Sequence, residues 1–229
     1  MQGMKDYSNL NKTRKEVALN AVKAAAGLFL FSCGVYLTIQ ANIGVAPWDV
    51  LNQGLAKHSG LMYGTILMLV SCTVLLVDVL MKEPIGLGMV LDTLITGKTV
   101  DLLNWLNLVP PRQTLWGGVI CLVLGLIVMN AAMRIYIAQG LGCGPRDTLL
   151  VALCKRFRKI RIGAMTMIMW GIVTLIGWLL GGQLGIGTIL SVALAGPILQ
   201  LICNMTHFNA ADVVHQNLLK SLQILLGKA

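Results

Sequence analysis

Charge is scarce in this sequence. Charged residues make up 12% of its 229 positions, against about 25% in an ordinary soluble domain. A water-soluble globular chain is therefore excluded. Acidic residues are scarcest: nine Asp and Glu stand against 18 Lys and Arg, for a net charge of +9. Histidine is limited to His58, His207 and His215, at no metal-ligand spacing, which argues against a zinc-type centre. No Cys-x-x-Cys pair occurs. Cys33, Cys72, Cys121, Cys143, Cys154 and Cys203 fall mostly in apolar runs and read as small packing residues, not a disulfide framework. Nucleophile elbows, phosphate loops and catalytic carboxylate pairs at a usable spacing are missing, so neither an enzyme nor a cofactor is expected. No cleavable signal peptide is evident, because the first apolar run is long enough to span and lacks a small-residue cleavage site after it.

What is present is apolar length. Hydrophobic residues form 56% of the chain, concentrated in 24–41, 60–81, 85–97, 115–133, 162–181 and 184–205. A helix needs about 20 residues to cross the hydrocarbon layer. The third run reaches that length when extended to 106 across several polar residues. Six crossings is the simplest count, giving an all-α polytopic membrane protein. The basic residues sit between the runs. Lys5, Lys12, Arg14, Lys15 and Lys23 precede the first, and Lys82 follows the second. Lys155, Arg156, Arg158, Lys159 and Arg161 follow the fourth, and Lys220 and Lys228 follow the sixth; the opposite loops carry Lys57 and Arg112. The positive-inside rule then places both termini in the cytoplasm. The same placement argues against nucleic acid as the partner of this charge. It favours the lipid bilayer, with anionic lipid at the basic inner loops.

The chain also repeats itself. Ile43-Gly44-Val45-Ala46-Pro47-Trp48-Asp49-Val50-Leu51 returns 98 residues later as Leu141-Gly142-Cys143-Gly144-Pro145-Arg146-Asp147-Thr148-Leu149. Ile85-Gly86-Leu87-Gly88 through Gly97 returns 99 residues later as Leu184-Gly185-Ile186-Gly187 through Gly196. Gly and Pro set where backbone breaks or bends, so a shared pattern of them implies shared geometry. Three spans per copy is an odd number, so the second copy enters the membrane from the opposite side. The expectation is two inverted repeats, residues 17–108 and 109–206, after a basic tail at 1–16 and before a terminal segment at 207–229. Such repeats point first to solute transport.

After each motif comes an apolar segment, 47–58 and 145–157, of roughly 18 Å as helix. That is too short to span. Each is a re-entrant half-helix or a helix lying on the surface. Pro47 and Pro145 suit the first helical position, and Gly44, Gly142 and Gly144 suit an unwound turn before it. Residues 208–226 are amphipathic, with Phe208, Ala211, Val214, Leu218, Leu222 and Leu225 on one face. This reads as a helix on the cytoplasmic surface, or as a contact within a homodimer.

Candidate site residues follow from the rarity of charge. Asp49 and Asp147 lie near the third position of the short helices, where a carboxylate caps free N–H groups or serves as a proton or cation site. Arg146 stands where the first copy has Trp48. It pairs with Asp147 or lipid phosphate, or receives an anionic solute beside a helix start. Trp48 is an interfacial anchor or a stacking surface. In the third span Asp92, Thr96 and Thr99 share a stripe, and Lys98 and Asp101 are spaced to pair. Intramembrane charge costs roughly 2.5–3.5 kcal/mol on insertion scales and so points to function; Asp92, Asp101 and Lys98 are the ion-coupling candidates. Asp78 and Arg134, near span ends, are expected to snorkel. Gln40, Gln139, Tyr36 and Tyr136 precede the motifs and either bind solute or satisfy broken backbone.

Gly-Val-Ala-Pro-Trp-Asp at 44–49, Gly-Cys-Gly-Pro-Arg-Asp at 142–147 and Gly-Ile-Gly-Thr-Ile-Leu at 185–190 resemble the YczE/YyaS/YitT group of bacterial integral membrane proteins, over roughly residues 17–205. The second motif is closest to the YczE-like branch. Ala46 departs from the glycine expected in the first motif. The resemblance implies a bacterial inner or plasma membrane location and supplies no substrate. The expected function is a transporter of a small solute by alternating access, an anionic solute being one option. A membrane regulator or scaffold and the substrate-binding subunit of a larger importer are the alternatives.

Overall fold

The computed structural model describes residues 13–209, 213 and 215–226. Their regular structure is helical: α1 (Arg14–Gln40), α2 (Pro47–Ser59), α3 (Tyr63–Leu80), α4 (Leu87–Leu106), α5 (Leu115–Ile137), α6 (Pro145–Arg156), α7 (Ile162–Leu179), α8 (Ile186–Met205) and α9 (Leu218–Leu225). Local chemistry marks several starts. Thr13 Oγ1 accepts the Glu16 N–H at 3.3 Å while Glu16 Oε2 accepts the Thr13 N–H at 2.7 Å, a reciprocal cap on α1. Thr114 caps α5 through the Gly117 N–H, and α2 and α6 open on proline.

Five helices, α1, α3, α5, α7 and α8, are long and apolar enough to cross a membrane. The chain is thus a polytopic helical membrane protein. α4 has 20 residues, about 30 Å, but carries Asp92, Lys98 and Asp101 and is not among those five. Five of the six expected crossings thus meet length and composition together, and α4 does not. Packing fixes where α4 goes: it lies against both α1 and α3.

The centre of the bundle is the crossing of α1 and α5. Gly27 faces Tyr136, Gly34 faces Met129, Thr38 faces Gly125 and Ala41 faces Gly118. One number rises as the other falls, so the two helices run antiparallel. Glycine permits this approach: a Cβ at Gly34 would lie 2.7 Å from the Met129 backbone nitrogen. α4 flanks α1, α8 flanks α5, α7 packs on α2 and α3 packs on α6. Two hydrogen bonds recur at matching positions. The Gly187 N–H donates to Ile43 O at 2.8 Å, and the Gly88 N–H donates to Leu141 O at 2.7 Å. Each motif therefore docks on the glycine run of the other half. One pairing does not recur. α3 packs closely on α4, whereas α7 stands off α8 across a groove of about 370 Å³.

The loops collect at two ends. At one, Lys155 pairs with Glu83 at 2.6 Å, and the Gln216 and Leu218 N–H groups bond Gly140 O and Ile85 O, both at 2.7 Å. The start of α1 joins this end through Ala24 and Leu28, packed near Leu141 and Phe208. At the other end Lys57 Nζ bonds Gly181 O at 2.7 Å, and Arg112 N bonds Gln40 O at 2.9 Å. Lys82 and the 155–161 cluster thus share one end of the bundle, and Lys57 and Arg112 the other.

The terminal segment differs from the expected surface helix over 208–226. Its described helix is α9 alone, preceded by non-helical backbone tied to Gly140 and Ile85. Ser221 and Ile224 are buried while Leu222 is exposed, so the inward face is not the one that hydrophobic spacing suggested. Ala211 and Val214 lie outside the described residues. Main-chain bonds from Gln216 and Leu218 hold this segment to the bundle.

Candidate functional site

The two short helices start together. The Arg146 guanidinium lies over the Trp48 ring, 5.1 Å from its centroid. Lys57 and Lys155, near the far ends of α2 and α6, lie at opposite ends of the bundle. Each helix therefore begins inside the bundle and runs outward toward its own end. Such backbone is tolerated at depth when protein surrounds it or it lines a wet cavity. Gly44 at φ +108° and Gly142 at φ +113° supply the turns that lead in, a conformation only glycine enters freely.

Neither start carries a side-chain cap, which corrects the expectation that Asp49 and Asp147 serve as caps. Asp49 is buried and accepts the Tyr63 hydroxyl at 2.7 Å and Asn52 Nδ2 at 3.4 Å. Those neighbours hold the carboxylate away from its own helix start. The Asp147 side chain has no hydrogen-bond partner among the described residues and is exposed, and it lies on the same side of Gly144 as Asp92. Asp92 Oδ1 accepts the Thr96 hydroxyl at 2.7 Å. A Cβ placed on Gly144 would lie 3.1 Å from Asp92 Oδ2, 3.8 Å from Asp147 Oδ2 and 3.9 Å from the Tyr136 hydroxyl. Arg146 is within electrostatic reach of Asp92, Asp147 and Tyr63, and one of its terminal nitrogens is buried without a hydrogen-bond partner. It makes no ion pair with Asp147; the indole takes that place.

Trp48, Asp49, Asp92, Tyr136, Arg146 and Asp147 thus converge. Two helix dipoles present their positive ends to one another there, beside one guanidinium and three carboxylates. This set can hold an anionic group at Arg146 and the helix starts, and a proton or cation among the carboxylates.

Other predicted residues lie elsewhere. Tyr36 bonds Val109 through its hydroxyl at 3.0 Å and secures the loop before α5, while Gln40 Nε2 bonds Asn104 Oδ1 of α4 at 3.1 Å. Gln139 Nε2 bonds Ile135 O within its own turn. Lys98 is exposed and does not pair with Asp101. Asp101 instead accepts the Gly64 N–H at 2.6 Å and the Thr65 hydroxyl at 2.9 Å, capping α3 from α4. Arg134 lies over Phe208, 5.2 Å from the ring centroid, with its Nε buried and unpartnered, so it does not reach out to the interface. Asp78 is also corrected. It is 0% exposed, with both carboxylate oxygens unpartnered, where snorkelling beside Lys82 was expected. The repeat held a signal for it, since its counterpart is Gly177, which packs on Leu51 of α2. Asn52 and Tyr63 were not singled out beforehand, and nothing in their local sequence marks them as partners of Asp49.

An all-helical bundle with internally starting half-helices and charge held inside it defines the class: a polytopic α-helical membrane protein. Residues 20–204 match the family described as "Family of unknown function (DUF6198)", and the chain belongs to that family. It is 28% identical over 193 residues to the "Uncharacterized membrane protein YczE" of Bacillus subtilis, covering 82% of this chain and 86% of that one. It is 30% identical over 180 residues to YyaS of the same organism, covering 76% and 88%. A Haemophilus influenzae protein is 32% identical over 178 residues, covering 78% and 80%. No solved structure matches.

Proposed function

We propose that this protein is a membrane transporter, working by alternating access between two inverted three-span repeats, with α4 as one of six crossings. The solute is small and carries an anionic group. Arg146 and the starts of α2 and α6 receive that group, and Asp92 and Asp147 carry the coupling proton or cation. One observation supports this reading above the rest: residues from opposite halves of the sequence, Trp48 and Arg146, meet inside the bundle at the starts of two half-helices. Transporters built from inverted repeats bind their solutes at such discontinuous helices. The antiparallel crossing of α1 with its counterpart α5 supports the inversion. The gathering of basic loops at one end supports cytoplasmic termini in a bacterial cytoplasmic membrane.

A screen of small metabolites, read as thermal stabilisation of the purified protein, identifies the solute. Flux of that solute into vesicles should then fall at least tenfold in Asp92→Asn and in Arg146→Ala, with insertion unchanged. A regulator or scaffold would tolerate both changes and fail on removal of the segment after His207. An importer subunit would bind the solute and show no flux alone. Cysteines at Lys57 and Lys155 should label from opposite faces of the membrane; labelling from the same face removes the inversion.

A further inference from the structure

The two halves carry the same glycine pair and use it differently. In the first half Gly64 of α3 meets Gly97 of α4 backbone to backbone, and Asp101 latches the contact through Gly64 N–H and the Thr65 hydroxyl. Ninety-nine residues on, the counterparts are Gly163 of α7 and Gly196 of α8. A Cβ at either of these would find nothing within 4 Å. Met68, whose Cβ lies 3.1 Å from the position of a Cβ on Gly97, has Met167 as its counterpart, and Met167 lines the α7–α8 groove. The closed contact sits at the end away from the basic loops, at the start of α3. The open one sits at the basic end, at the start of α7.

We infer that these glycine pairs are the two gates of the proposed transport cycle, and that the chain has a second arrangement in which α7 closes on α8 through Gly163 and Gly196 while α3 parts from α4. This inference rests on the transport reading and adds to it the moving parts and the present state, with the α3–α4 pair closed and the α7–α8 pair apart. Inside the membrane, helices associate through close packing of small residues and not through burial from water. A bare glycine pair left apart is therefore an unused contact surface, and the sequence already specifies what covers it. The latches differ: Asp101 in the first gate, neutral Gln200 in the second, where Gln200 Nε2 now bonds Asn204 Oδ1 at 2.8 Å. Charge-assisted bonds are the stronger kind, which accounts for the first gate being the closed one. Trp170 stands in the groove where the first half has buried Ser71, so closure carries that indole out of the groove.

Thr65 and Asp101 touch in the closed gate; Ala164 and Gln200 are their counterparts. In a chain whose six native cysteines are replaced by alanine, Thr65→Cys/Asp101→Cys and Ala164→Cys/Gln200→Cys pairs are oxidised in native membranes by copper phenanthroline. Two thiols yield two protons and two electrons to dioxygen. Both pairs should form disulfides. With Asp101→Asn added, the second pair should form faster by about tenfold, as a charge-assisted latch becomes neutral. Spin labels at Met167 and Leu201 supply a measurement that leaves both gates intact, with two distance populations expected. No disulfide at 164/200 together with a single distance overturns the inference. Should both disulfides form with no flux found for any stabilising solute, the gates stand and the transport reading falls. Should flux persist in a chain locked by the 65/101 disulfide, transport stands and the gates fall.

Discussion

Replacing Gly97 and Gly196 by alanine, one at a time, probes the asymmetry between the halves most directly. A Cβ on Gly97 would collide with Gly64 O and come within 3.1 Å of Met68 Cβ. The first obstacle is backbone of a helix pinned by Asp101, so it cannot swing aside as a side-chain tip would. Overpacking of this kind costs about 1–3 kcal/mol, while alanine gains about 1 kcal/mol over glycine inside a helix. The net for Gly97→Ala is a loss of up to about 2 kcal/mol. Gly196→Ala meets nothing within 4 Å and keeps the helix gain of about 1 kcal/mol. For a chain of this size each kcal/mol moves Tm by roughly 2–4 °C. Gly97→Ala should lower Tm by as much as about 8 °C, and Gly196→Ala should raise it by roughly 2–4 °C. Thermal unfolding in detergent micelles, followed by tryptophan fluorescence, measures both. Gly196→Ala should also slow the Ala164→Cys/Gln200→Cys disulfide, because the added methyl obstructs closure. Equal shifts of the same sign in the two variants would refute the packing difference on which the gates depend.

Three further expectations follow from the same geometry. Arg146→Lys should fail to restore solute binding lost in Arg146→Ala, because an ammonium neither stacks flat on Trp48 nor offers a fork to an anionic group; recovery of thermal stabilisation by the solute would count against the assigned role. Lys155→Ala should cost more than the ~1 kcal/mol of a fully exposed pair, since the Glu83 side chain is only 8% exposed and would be left without its partner; an unchanged Tm would mean this contact does not anchor α6. Ending the chain after His207 removes the bonds from Gln216 to Gly140 and from Leu218 to Ile85, so it should lower Tm and raise thiol labelling at Cys143, which lies 3.6 Å from His215; unchanged labelling would show that the terminal segment does not cover the second motif.

Much of the fold was legible. Hydropathy runs mark α1, α3, α5, α7 and α8, because lipid demands about 20 apolar residues per crossing whatever surrounds them; the weaker run that becomes α4 is broken by Asp92, Lys98 and Asp101. The short helices expected at 47–58 and 145–157 are α2 and α6 within a residue, since proline sets a start irrespective of tertiary contacts. The site was legible in outline: Asp49, Asp92, Arg146 and Asp147 stand out as charge in an apolar chain, and they converge. What could not be read was each carboxylate's partner. Asp101 was spaced to pair with Lys98 and caps α3 instead; Asp78 sat near Lys82 and is buried alone. Spacing along one helix reports neighbours on that helix, and here the deciding groups came from another.

The amino-acid order alone settled that the chain is a bundle of lipid-length helices, that it contains one pattern twice, and that glycine and proline break it at matching places. These are local properties, dictated by backbone sterics and by the cost of polar groups in hydrocarbon. Only the tertiary structure decided that the half-helices begin face to face inside, that each motif rests on the other half's glycines, and that one glycine pair is shut while its twin is open. Those outcomes depend on contacts between segments a hundred residues apart, and close packing admits or refuses such contacts atom by atom.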